Sequence, residues 1–88
     1  MRIRVRRTGG FAGIERRAEV DTSARPDAHE WQALAEKALA DGRDTPPTGV
    51  PDGFSYTITV DGRTVYAADP RLTREQRELI SRVLKEGA

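Results

Sequence analysis

Four segments of the chain alternate apolar with polar residues, a spacing typical of strands that bury one face. Residues 1–6 alternate Met, Ile and Val with arginine. Residues 14–20 continue the pattern, except that Arg16 interrupts the apolar face. Because a glycine-rich run separates these two segments, we predict an antiparallel hairpin with a projecting loop near residues 8–13.

A second hairpin is predicted around Asp61-Gly62, because Asp-Gly between two alternating segments is a strong signal for a tight turn. Its strands are expected at residues 54–60 and 63–68. The predicted partners are Ile58 with Val65 and Tyr56 with Ala67 on the buried side, and Thr57 with Tyr66 and Thr59 with Thr64 on the outer side. The pattern therefore specifies the register of this hairpin.

Two further segments carry apolar residues at intervals of three and four, which predicts helices. The first is expected to begin at Asp27, which has the spacing of a capping box with Glu30, and to end at Gly42. The second is expected to begin at another capping box, formed by Thr73 and Gln76. The two apolar stripes comprise Trp31, Leu34, Ala35 and Ala38, and Gln76, Leu79, Ile80, Val83 and Leu84.

The predicted element order is β-β-α-β-β-α, which indicates the α+β class. We expect a four-stranded antiparallel sheet with both helices on one face, so that Trp31 and Leu79 are buried between the layers. A chain of 88 residues can form one modest core, and residues 1–88 are therefore expected to be a single domain. The proline-rich stretch 43–53 is predicted to be a loop, partly extended.

The charge of the chain is distributed unevenly, although its net charge is only +1. Residues 1–20 carry six arginines and two glutamates, a net charge of +4, and the other residues sum to −3. Such a basic hairpin could attract an acidic partner. Nucleic acid is one alternative, in which the phosphates would be contacted by Arg2, Arg4, Arg6 and Arg17. The other interpretation, a solvated strand face, explains the same pattern. We favour it because the charges are so few. A nucleic-acid module would also need aromatics on the same face for stacking, and Tyr66, the only obvious candidate, lies in the other hairpin.

Several kinds of chemistry find no support in the sequence. Cysteine is absent, which excludes disulfides and thiolate metal sites. The only histidine, His29, is expected to be a solvated surface residue, and no phosphate-binding, dinucleotide-binding or zinc motif occurs. No segment is apolar enough for a membrane span or a signal peptide. We therefore expect a cytoplasmic protein that is not an enzyme and has no cofactor and no metal.

A candidate binding site is the run Gly9, Gly10, Phe11, Ala12 and Gly13 in the first hairpin loop. Glycines permit a sharp turn, and a large aromatic ring at such a tip has little core of its own to enter. Exposed aromatics on rigid turns often anchor a partner. The alternative is that Phe11 folds back over the sheet as a lid. Pro46 and Pro47, in the proline-rich loop, are expected to support the same contact.

The opening Met-Arg-Ile-Arg-Val, with Gly-Gly-Phe-Ala-Gly-Ile at residues 9–14, resembles the emfourin family of inhibitors of thermolysin-like metallopeptidases. The second hairpin and the Asp-Pro-x-Leu-Thr run before the last helix are also similar to that family. The resemblance implies an inhibitory domain, expected to be a monomer, whose partner is a thermolysin-like metallopeptidase. It implies that Phe11 supplies the large apolar side chain that these enzymes accept. A plain interaction or scaffold domain is the other alternative.

Overall fold

The computed structural model describes residues 1–9, 15–46, 53–69 and 71–87. Its element order is β-β-α-β-β-α, and the four strands form one antiparallel sheet, which confirms the predicted α+β fold. The strands are β1 (Arg2–Gly9), β2 (Arg16–Asp21), β3 (Phe54–Val60) and β4 (Arg63–Ala68), and the helices are α1 (Ala28–Asp41) and α2 (Arg74–Glu86).

The strands lie in the order β2-β1-β3-β4, so that β1 is central and pairs with both β2 and β3. The second hairpin has the predicted register in all four residue pairs. Asp61 and Gly62 both adopt positive φ, at 48° and 87°, as the tight turn requires. On the outer face, the hydroxyls of Thr59 and Thr64 lie 3.0 Å apart and form a hydrogen bond across the strands.

The sheet presents three successive rows of cross-strand neighbours to the helices. The first two, here called the apolar rows, consist of buried residues, whereas the next, here called the third row, contains two arginines. The apolar rows are Val20-Ile3-Val60 and Ala18-Val5-Ile58-Val65, and the third row is Arg16-Arg7-Tyr56-Ala67. Trp31 of α1 and Leu79 of α2 are fully buried in the same core, as predicted.

The two helix starts differ, although the sequence predicts a capping box at both. At α2 the box is present: the Thr73 hydroxyl accepts a hydrogen bond from the Gln76 amide at 3.2 Å, and the Gln76 side chain accepts one from the Thr73 amide at 3.1 Å. At α1 the prediction is wrong. Asp27 is the N-cap residue, but at φ −98° and ψ 24° it lies outside the extended region, and its side chain caps no amide.

Gly42 follows the last residue of α1, where a glycine usually indicates a left-handed turn. Its φ of −80° is open to any residue, so a left-handed turn does not explain the glycine. A side chain here would overlap that of Val65 on β4. Beyond it, Arg43 exchanges two backbone hydrogen bonds with Tyr66, at 2.9 and 2.8 Å. The predicted loop at 43–53 therefore begins with a residue paired to the edge of the sheet.

Candidate functional site

Strand β1 runs two residues into the predicted loop, as far as Gly9. The reason is tertiary, because Thr8 and Gly9 pair with Ser55 and Phe54 of β3. Gly9 has a φ of +105°, and a Cβ atom on it would lie only 2.7 Å from the carbonyl oxygen of Gly53. The end of β1 therefore requires glycine on both conformational and steric grounds.

Two of the predicted binding residues, Gly9 and Pro46, lie within the described residues, and Pro46 is exposed. The others lie outside them, namely Gly10, Phe11, Ala12, Gly13 and Pro47, as does Ile14. Residues 10–14 follow Gly9, and residues 47–52 precede Gly53. Because Gly9 and Gly53 approach each other closely, these two stretches of chain are joined to the sheet at the same place.

The outer face of the first hairpin carries arginines that are matched with glutamates. Arg4 and Arg2 lie 3.2 and 3.7 Å from Glu19. Glu15 likewise lies 2.8 Å from Arg6 and 3.7 Å from Arg17. Exposed ion pairs of this kind contribute little stability, about 0–1 kcal/mol each. They nevertheless engage all four arginines that a nucleic-acid interface would use and offset part of their charge. Tyr66 lies two strands away from the nearest of them, on β4.

A cleft of about 460 Å³ opens between the third row and α2. Arg7 and Arg16 come from the sheet, and Arg77 and Lys85 come from the helix. We call this the basic cleft; its remaining lining residues are Tyr56, Leu72, Ile80, Ser81 and Leu84. Sequence reasoning missed it, although one signal was available: Arg7 and Arg16 both interrupt the apolar alternation, and the hairpin register makes them partners.

Tyr56 lines the basic cleft, and its surroundings shift the pKa of its phenol. Burial raises the pKa of its phenol, and the negative charge of Asp69 raises that pKa further. The positive charges of Arg7 and Arg77 act in the opposite direction. With its pKa above the usual value, Tyr56 is a neutral hydrogen-bonding group at physiological pH.

The described part of the chain offers neither a metal-binding cluster of side chains nor a membrane-spanning helix. No group of three or more His, Cys, Asp or Glu side chains there is placed to hold a metal ion. His29 is exposed in the first turn of α1, which confirms the surface position expected for it. Across the described ranges, neither helix is long and apolar enough to span a membrane.

Comparison with known proteins gives one informative result. No curated protein and no solved structure shows significant similarity to the chain. The family model described as Emfourin matches residues 5–84, which is nearly the whole sequence and runs from within β1 to within α2. The chain therefore belongs to the Emfourin family.

Proposed function

We propose that this protein inhibits thermolysin-like zinc metallopeptidases, with the loop Gly9–Gly13 entering the active-site cleft of the enzyme. Family membership over residues 5–84 is the observation that carries the proposal. Phe11 fills the apolar subsite beyond the scissile bond, and Pro46 and Pro47 contact the rim of the cleft. The protein acts as a binding partner of the enzyme and not as a catalyst.

The base of the loop supports this proposal. Strand β1 is hydrogen-bonded on both sides up to Arg7 and continues its pairing with β3 as far as Gly9. A loop that leaves such a fixed strand loses less conformational freedom on binding, and preorganisation of this kind strengthens affinity. A buried aromatic anchor commonly contributes more than about 2 kcal/mol to an interface.

The sheet also offers a backbone edge next to the loop. Because β1 lies between two strands, its own backbone groups are already paired, whereas β2 is at the edge of the sheet. Strand β2 begins at Arg16, shortly after the loop returns. Thermolysin-like enzymes bind extended peptides along an edge strand, and β2 is the strand that can add to that edge by β-augmentation.

The nucleic-acid alternative is less well supported. Phosphate contacts by Arg4 or Arg6 would compete with Glu19 and Glu15, which already lie within ion-pair distance. These ion pairs instead indicate that the arginine-rich side of the hairpin is a solvated outer face. The loop Gly9–Gly13 carries no charged residue, so these charge arguments do not bear on its proposed role.

The test is a titration of a thermolysin-like peptidase with the purified protein, at low and at high salt. We expect residual activity to fall linearly to an endpoint at equimolar protein, with little dependence on salt because the anchor is apolar. A duplex DNA oligonucleotide serves as the competing partner. Undiminished peptidase activity at excess protein, together with DNA binding that weakens steeply with salt, would contradict the proposal.

A further inference from the structure

Two consecutive arginine pairs across the first hairpin differ in their surroundings. Arg6 faces Arg17 on the outer face, and Arg7 faces Arg16 on the helix side. Like charges directly opposite each other destabilise a sheet. For the outer pair, Glu15 relieves this repulsion by contacting both guanidinium groups. In the part of the chain that the structure describes, no ion pair relieves the inner pair.

The inner pair is part of a larger excess of positive charge. Arg77 and Lys85 of α2 line the same cleft, and among the residues that the structure describes no acidic one lines it. Asp69, whose charge acts on Tyr56, hydrogen-bonds to the Phe54 amide at 3.4 Å. It forms no ion pair with the four cations within the described ranges. Four cations that line one cleft, with no carboxylate among its described lining residues, are an arrangement that attracts an anion.

The arginine donors of the cleft are held in place. The Arg7 guanidinium carbon lies 4.4 Å from the centroid of the Phe54 ring, and the buried Nε atom of Arg7 has no hydrogen-bond partner within the described part of the chain. Arg16 donates from one terminal nitrogen to the Leu84 carbonyl at 2.8 Å, which leaves its other N–H groups for a further acceptor. Because the Nε atom is shielded from solvent, the donors available to a bound oxyanion are the terminal N–H groups of these arginines.

We propose that the basic cleft binds a phosphate group, either as free phosphate or as part of a small phosphorylated molecule. Phosphate suits the site better than a carboxylate does, because it carries more charge and more acceptor oxygens for several guanidinium forks. Ser81 and the Tyr56 phenol provide neutral hydrogen-bonding groups, and Leu72, Ile80 and Leu84 provide an apolar wall for an organic group. A volume of about 460 Å³ leaves room for one.

The site is independent of peptidase inhibition, so its test uses the free protein. Inorganic phosphate is titrated into the isotope-labelled full chain at constant ionic strength, with amide chemical shifts as the readout. We expect saturable shifts centred on Arg7, Tyr56 and Ser81, with a Kd on the order of 1 mM or tighter. Acetate at the same ionic strength should give weaker binding. Equal binding of acetate and phosphate, or shifts that never saturate, would overturn the proposal.

The neighbouring arginine pairs supply matched variants. The double change Arg7→Gln with Arg16→Gln should weaken phosphate binding by about tenfold or more, because it removes charge-assisted hydrogen bonds. The double change Arg6→Gln with Arg17→Gln removes the same charge from the outer face and should leave the affinity nearly unchanged. If the inner variant does not fold, Arg77→Gln, at an exposed position of α2, must weaken binding instead. Equal effects of inner and outer variants, or no effect of Arg77→Gln, would contradict the proposal.

Discussion

The helix-facing side of the sheet changes character along its own strands. The apolar rows carry no charged side chain and are covered by residues such as Trp31 and Leu79, which are fully buried. The third row, one step further along the same strands, places Arg7 and Arg16 beside the open basic cleft. One sheet therefore has an end that stabilises the fold and an end that presents chemical groups to solvent.

The difference shows that the exposure of a strand position, as well as its residue type, decides whether its side chain contributes to stability or to binding. Ile3 and Arg7 lie on the same face of β1, but Ile3 is completely buried and Arg7 is only partly buried. Gly9, two residues further, is exposed and joins β1 to the proposed inhibitory loop. Substitutions in the apolar rows should therefore affect stability, whereas those beyond the third row should affect binding.

The largest expected effect belongs to the core over the apolar rows. Trp31→Ala should lower the free energy of unfolding by about 3–5 kcal/mol, as the loss of a buried large aromatic usually does. Arg25 and Arg82 also lie over the Trp31 ring, at 5.6 and 5.7 Å from its centroid, and would lose that contact. Urea unfolding measures the change.

Leu72→Ala is the control at the other end of the sheet, because Leu72 is only half buried and lines the basic cleft. It should lower the free energy of unfolding by about 1 kcal/mol, in proportion to the smaller area removed from water. A loss at Leu72 as large as that at Trp31 would mean that the two ends contribute equally to stability.

Gly9→Ala should have the next largest effect, because it combines strain with a steric conflict. The positive φ costs about 1–2 kcal/mol for a residue with a side chain. The approach to the Gly53 carbonyl adds to that cost. Gly62→Ala is a matched control, since Gly62 also has positive φ but has open space around it. Both variants should melt at lower temperature, and only Gly9→Ala should also weaken inhibition. Equal inhibition by both variants would show that the end of β1 does not hold the loop.

The comparison also marks where sequence reasoning succeeds. The second hairpin is predictable because Asp61-Gly62 fixes a turn locally and alternation then determines each partner. Local spacing failed at Asp27, where the backbone conformation prevents capping. It correctly ended α1 at Gly42, but the steric need for glycine there comes from Val65 on a distant strand and cannot be read from local sequence. The basic cleft was missed for the same reason, since Arg77 and Lys85 meet Arg7 only after α2 packs on the sheet.

A smaller effect distinguishes the two arginine pairs by their response to salt. Sodium chloride weakens the surface ion pairs but also screens the repulsion between Arg7 and Arg16, which adds a stabilising component to the salt response of the melting temperature. Arg7→Gln should remove this component, whereas Arg6→Gln should not. At one salt concentration, Arg6→Gln should stay within about 0.5 kcal/mol of the parent, because it changes the exposed outer face. Identical salt responses in the two variants would remove the distinction between the inner and outer pairs.

The smallest effect concerns Tyr56 at alkaline pH. Its pKa is higher in the folded protein than in the unfolded chain, so the folded state holds the proton more tightly. The resulting stability is fully present below the unfolded pKa of about 10 and is lost as pH rises through the folded pKa. Between about pH 9 and about pH 11, Tyr56→Phe should therefore lose less stability than the parent. If Tyr56→Phe loses as much stability as the parent over this range, burial of the phenol has no energetic consequence.

The most direct test of the account measures inhibition and thermal stability on the single variant Phe11→Ala. We expect inhibition of a thermolysin-like peptidase to weaken by about thirtyfold or more, from the loss of about 2 kcal/mol at an anchor, with the melting temperature almost unchanged. Tyr66→Ala removes an aromatic ring from the outer face of the second hairpin and should leave inhibition intact. If Phe11→Ala instead lowers the melting temperature while the folded protein inhibits normally, Phe11 is a lid over the sheet, and the proposed separation of stability from binding is wrong.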